Sequence, residues 1–273
     1  MNRPLLATLA AALALASTTA NADGSATGAL TGLRVQLFNL AASRTSAPAV
    51  TFQDGSGSSA QAEASSPATN ASGADSRSSG VVFGTVGVGS SLGRQAGSAA
   101  DITGNAWAGN EGVSATAFAE TASSQSEATA YLGDGDNYTP FTLSADTLMV
   151  ITATATLSAA TGTAPDDYAI ASAEIEFLGT LGDNSQESLA NALAAAGGAF
   201  GTSESVTETL TVTFANPNAF AIDGTFFGGL DATAVAGASQ VPEPGGATML
   251  WSALALFAAC RMRAARRTRA LPR

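Results

Sequence analysis

Several runs of this chain alternate apolar and polar residues with period two. Leu148 to Leu157, "LMVITATATL", puts Met149, Ile151, Ala153, Ala155 and Leu157 on one side and Thr152, Thr154 and Thr156 on the other. Glu208 to Phe214 sets Leu210, Val212 and Phe214 against Thr209, Thr211 and Thr213. "AIASAEIEFL" separates Ile175 and Phe177 from Glu174 and Glu176, and "LRVQLFNL" and "VSATAFAE" repeat the pattern more loosely. Successive side chains of a strand point to opposite faces, so this alternation predicts half-buried antiparallel strands. Turn residues separate the runs, at 133–137, at Gly182-Asp183-Asn184 and at Asn216-Pro217-Asn218. The expected fold class is therefore all-β, an antiparallel sandwich of about eight to twelve strands. Its inward positions are rich in Ala and Gly, which implies a thin core.

Two segments break the pattern. Asn184 followed by Glu187 reads as a capping box, with Leu189 and Leu193 one turn apart and Gly197-Gly198 as a stop, which predicts one short helix. Asp54 to Gly80 has no apolar residue larger than Ala, and we read it as a flexible, solvated loop whose Ser/Thr density also suits O-glycosylation.

Both ends differ from the body. "MNRPLLATLAAALALASTTANADG" has a positive start at Arg3, a twelve-residue apolar stretch from Leu5 to Ala16, and Ala20-Asn21-Ala22 as a small-residue cleavage site. That order is a secretory signal peptide, residues 1–22, handled by the Sec machinery and signal peptidase and leaving Asp23 as the new N-terminus. At the other end stands Val241-Pro242-Glu243-Pro244. Its prolines fix their own φ, lack amide hydrogens and push the preceding residues toward extended conformations. The segment therefore reads as an exposed, extended linker displaying one carboxylate.

Gly245 to Cys260 follows, sixteen residues without a charge. As a helix it would reach roughly 24 Å, against a hydrocarbon core of about 30 Å. Arg261, Arg263, Arg266 and Arg267 come directly after it and act as a membrane stop. By the positive-inside rule they hold the tail, 261–273, in the cytoplasm. Snorkelling of the first arginines lengthens the effective span.

The ordered set of Val241 to Pro244, the short span and the arginine block resembles the PEP-CTERM sorting signal of Gram-negative bacteria. The resemblance covers about thirty residues. It implies a substrate of exosortase, a membrane-embedded, transpeptidase-like enzyme that removes the C-terminal segment. It also implies an association with extracellular polysaccharide. The expected itinerary is export through the inner membrane, transient anchoring there, and delivery to the cell surface or the medium.

Charge and composition narrow the chemistry. Between Asp23 and Gln240 stand twenty-one carboxylates and four arginines, Arg34, Arg44, Arg77 and Arg94, a formal balance of −17. Such a body repels phosphate backbones, so nucleic acid is not an expected partner. Histidine is absent and Cys260 is the single cysteine. No intrachain disulfide, Cys/His zinc site or His-activated nucleophile can be assembled. No metal or other cofactor is expected, and carboxylates remain the acid/base groups. Glu174 and Glu176 share a strand face, where a solvated outer surface explains them. Asp134 and Asp136 open like a calcium loop, but Tyr138 stands where an EF-hand takes Asp or Asn, so an ordinary Gly/Asp turn is the reading. Trp107 with Tyr131 and Tyr138 forms a candidate sugar-stacking set. The expected function is that of an exported, non-enzymatic surface or matrix protein. A secreted carbohydrate-binding module is the alternative, and a carboxylate-dependent glycoside hydrolase is the third reading.

Overall fold

The computed structural model describes residues 23–42, 46–53, 58–67, 69–79, 86–93, 95–103, 111–132, 139–164, 166–181, 184–197 and 201–237. Residues 1–22, read above as a signal peptide, and the segment from Val241 onward lie outside them. The strands are β1 (Gly24–Asn39), β2 (Val50–Phe52), β3 (Ser59–Ser66), β4 (Ala71–Ser78), β5 (Val86–Ser91), β6 (Ala96–Thr103) and β7 (Glu111–Ala119). They continue with β8 (Gln125–Tyr131), β9 (Thr139–Leu143), β10 (Thr147–Thr161), β11 (Tyr168–Leu181), β12 (Asn184–Gly197), β13 (Ser203–Asn216) and β14 (Ile222–Val235). The described residues contain no helix and are all-β and antiparallel as expected, with fourteen strands rather than about eight to twelve.

One sheet has the order β13-β10-β1-β7-β6-β5. The other has β12-β11-β14-β8-β3-β4, with β9 on β14 and β2 on β9. The sheets lie face to face so that the two orders match: β13 over β12, β10 over β11, β1 over β14, β7 over β8, β6 over β3 and β5 over β4. One continuous apolar cluster fills the space between them.

The alternation in the sequence becomes this inner face. Met149, Ile151, Ala155 and Leu157 of β10 are buried, as are Leu210, Val212 and Phe214 of β13. Register aligns them: Ile151 stands opposite Val35 on one side and Val212 on the other. In β1 the parity changes midway, since Ala26 and Leu30 face inward but so do Leu33 and Val35. Gly32, at φ 62°, supplies the extra residue of a bulge between Thr31 and Arg34. A left-handed backbone of this kind suits glycine, and the bulge returns the apolar set to the core.

The core is graded along the strands. At one end, Phe52 and Phe141 have ring centroids 6.1 Å apart, and Phe141 meets Phe214 at 5.2 Å with perpendicular rings. Toward the other end, β1 contributes Ala26 and Gly28 and β7 contributes Ala115, Ala117 and Ala119. There the sheets approach closely: a Cβ on Gly24 would lie 2.9 Å from the carbonyl oxygen of Val235 across the sandwich.

That narrow end explains two departures from the sequence reading. Residues 59–66 and 71–78, expected to lie in a flexible loop, form the β3–β4 hairpin. Ala60, Ala62 and Ala64 are its buried residues, and a space this thin needs nothing larger than a methyl group. The strand also borrows stability from β8, with which it pairs from Ser59 to Ser65. The segment expected to be a helix is instead strand β12, paired with β11 along its whole length. Ala192, Ala194 and Ala196 turn inward, while Leu189 and Leu193 are left 49% and 57% exposed. Tertiary pairing outweighs the helix preference of alanine, which amounts to less than about 1 kcal/mol per residue against ordinary residues.

β12 and β13 are the outer strands on one side, and side chains occupy some of their free amides. Glu204 Oε2 accepts the amide of Ala195 at 2.8 Å, and Ser188 Oγ accepts that of Thr213 at 3.1 Å. Satisfied edge amides are poor templates for pairing with another chain.

The narrow end yields a test. A Cβ on Gly28 would stand 3.0 Å from Leu230 Cδ1 and 3.2 Å from Leu157 Cδ2. Gly28→Val should therefore overpack the core and lower unfolding free energy by about 1–3 kcal/mol. Leu193→Thr, on the exposed side of β12, should stay within about 0.5 kcal/mol. Urea denaturation of both variants checks the contrast.

Candidate ligand-binding face

The outward side of the β12-β11-β14-β8-β3-β4 sheet carries a group of carboxylate, amide and hydroxyl side chains. Strand parity puts Gln61 and Glu63 of β3 on it, with Glu127, Thr129 and Tyr131 of β8 and Asp231 and Thr233 of β14. Register then sets the rows. Glu63 stands directly opposite Glu127, which is opposite Thr233. In the next row, Thr129 lies between Gln61 and Asp231. Residues directly opposite one another in a ladder have Cβ atoms about 4.5–5.5 Å apart, so the Glu63–Glu127 pair brings like charges together.

Two depressions flank that pair. One, of about 450 Å³, is lined by Glu63, Ser65, Ser72, Gln125, Glu127 and Tyr168, among others. The other, of about 370 Å³, includes Gln61, Ser76, Arg77, Thr129 and Tyr131. Gln61 Nε2 donates to Glu63 Oε1. Thr129 is 5% exposed, and among the described residues its hydroxyl has no hydrogen-bond partner.

The electrostatics follow from crowding. Burial, then the charges of Asp231 and Glu63, raise the Glu127 carboxyl above the ordinary carboxylate range. Asp231 is also raised by burial, opposed by the Thr233 hydroxyl that donates to it at 3.2 Å. A carboxyl raised by folding binds its proton more tightly in the native state. Its ionisation therefore destabilises the fold as pH rises through the shifted value, and protonation relieves that.

Of the residues singled out in the sequence, Tyr131 and Glu174 are on this face. The Tyr131 ring is 5.6 Å from that of Phe227, and both rings close over Gly229. Tyr131 thus covers backbone rather than standing free as a stacking platform. Tyr168, 42% exposed at the rim of the larger depression, offers the accessible ring. Glu174, half-buried, stands opposite Gly229. Trp107, Tyr138, Asp134, Asp136 and the side chain of Glu176 lie outside the described residues. So do Val241, Pro242, Glu243 and Pro244, the arginines Arg261, Arg263, Arg266 and Arg267, and Ala20 and Ala22. Asp23 is described and begins the body.

The Glu63, Glu127 and Asp231 group was not read from the sequence. Glu63 belonged to the supposed loop, and the alternation of Gln125, Glu127, Thr129 and Tyr131 was the available signal. Among the described residues no three Asp or Glu converge into a metal-ligating group. Glu63 and Glu127 stand side by side on one open face rather than on opposite walls, which does not place a sugar ring between an acid and a base. Acceptor-rich side chains with one accessible aromatic ring can instead hydrogen-bond and stack on a hydroxylated ligand. No protein-family model matches the chain, and no curated protein matches it.

Removing the charge at Glu127 tests the like-charge row. Glu127→Gln should raise stability at neutral pH by a cross-strand amount, roughly 0.2–1 kcal/mol. It should also weaken the fall in stability as pH rises from acid to neutral. Thermal melts from about pH 4 to pH 7 measure both.

Proposed function

We propose that this chain is an exported, non-enzymatic surface or extracellular-matrix protein, delivered by a C-terminal signal that an exosortase-like transpeptidase processes, and associated with exopolysaccharide. The observation that carries the reading is the coexistence, in order, of two addresses. An export signal ends at Ala20-Asn21-Ala22, and a Pro-Glu-Pro linker, a short apolar span and an arginine block close the chain. The described body is compatible with this route, since it is a disulfide-free, acidic β-sandwich whose outer strands have side chains on some of their free amides. A marginally short span suits a temporary tether better than a permanent anchor. Glu243→Ala should leave export intact and block processing, so that a full-length membrane-bound form accumulates. Replacing Arg261, Arg263, Arg266 and Arg267 together should loosen retention before cleavage. Fractionation and immunoblotting read both; processing and release like the wild type in both variants would contradict the sorting role.

A second reading, a secreted carbohydrate-binding module, is favoured by the depressions beside Glu63 and Glu127, with Gln61, Thr129 and Tyr168 at hand. Sedimentation with the producing cell's own polysaccharide tests it. Tyr168→Ala should lower bound protein several-fold, since one stacked ring is worth about 0.5–1.5 kcal/mol beyond its buried area. Equal retention of the variant would count against it.

A further inference from the structure

Asp23 is fixed where several segments meet. Its carbonyl oxygen accepts the amide of Gly162, just beyond β10, at 2.7 Å. Its backbone nitrogen lies 3.4 Å from Oδ2 of Asp167, which is only 2% exposed. Oδ2 of Asp167 also accepts the amide of Ala164 at 3.0 Å, and Oδ1 accepts that of Gly237 at 2.8 Å. One buried carboxylate therefore joins the start of β1, the β10–β11 connection and the residues after β14.

Among the described residues, the charges placed around that nitrogen are all negative. Glu120 follows Ala119, the β7 residue that pairs with Gly24. Burial, then the charges of Asp167 and Glu120, raise the Asp23 carboxyl. Asp166, exposed, is next to Asp167 in the chain. Among the described residues no cationic side chain pairs with Asp167, whose partners are neutral amides. A buried carboxylate without a cation is costly, and charge-assisted hydrogen bonds are roughly twice as strong as neutral ones.

The nitrogen aimed at this carboxylate is also the one that export would free. We propose that the buried Asp167 carboxylate is a binding site for the chain's own α-ammonium, created when the Ala22–Asp23 peptide bond is hydrolysed. In that step water adds across the bond. Ala22 takes the oxygen as a carboxylate, and the Asp23 nitrogen takes protons to become an ammonium with three donors where the amide had one. The inference rests on the export reading and deepens it. The precursor presents a neutral amide at 3.4 Å, whereas the processed chain presents a full positive charge to Asp167, Asp23 and Glu120. The body is thereby tightened only after it has crossed the membrane.

An α-amine paired in this way keeps its proton to higher pH than the ordinary range of about 7.7–8.0. Its contribution to stability is present below that range and disappears as pH rises through the value in the folded protein. The test uses exported protein whose N-terminus has been sequenced. A ¹⁵N titration of the Asp23 α-amine should fall above the ordinary range. Asp167→Asn should return it to that range. Inserting one glycine between Ala22 and Asp23 moves the ammonium off the carboxylate without changing Asp167 or its other amide partners. That variant should still be exported, should melt about 2–4 °C lower at pH 7, and should lose the fall in stability above pH 8. A terminus at Asp23 with an ordinary α-amine titration, or a glycine insertion with the wild-type pH profile of melting, would overturn the latch and leave the sorting reading standing. A terminus elsewhere would overturn the latch and the cleavage site together.

Discussion

The close approach of the two sheets at their alanine-rich end is the constraint on which the rest depends. Antiparallel sheets usually pack about 10 Å apart, with branched and aromatic side chains interdigitating between them. Here Gly24 and Gly28 of β1 leave room for the backbone at Val235 and for the side chain of Leu230 across the sandwich. The remaining space is filled by alanine methyls such as Ala26, Ala117 and Ala234. Each alanine buries little, so stability in this region comes from many short contacts in long paired strands. The aromatic cluster of Phe52, Phe141, Phe214 and Phe226 supplies the larger side chains at the other end.

The same constraint accounts for what the sequence disclosed and what it hid. Strands with branched residues on one face and threonines on the other, β10 and β13 above all, were legible because large apolar residues mark the inward side. β3 and β12 were not, because their inward residues are alanines. An alanine run looks like helix in β12 and like loop in β3 until a facing sheet is supplied. In the turn after β3, Asn70 takes a φ of 52°, and its amide reaches the Pro67 carbonyl at 3.2 Å. The acidic group on the outer face was hidden for another reason. Glu63, Glu127 and Asp231 are far apart in the chain, and only strand order brings them together.

An acidic body with few arginines must manage its own repulsion. On the outer face burial raises the carboxyls of Glu127 and Asp231, and at Glu127 the charges of Asp231 and Glu63 raise it further. At the start of β1 the proposed cleavage at Asp23 would supply a cation to a carboxylate that three backbone amides approach. On the proposed export reading, charge would connect the fold to the itinerary. One end of the chain would acquire its final electrostatic balance by being cut, and the proposed sorting signal would be the counterpart on the C-terminal side.

Intact-mass spectrometry of the protein recovered from the surface or medium of its own cells tests this account most directly, because it reports both ends at once. The account predicts a species well below the 26.8 kDa of the full chain, starting at Asp23 and lacking the apolar span and arginine block after Val241 to Pro244. A 26.8 kDa species carrying both Met1 and Arg273 would contradict it.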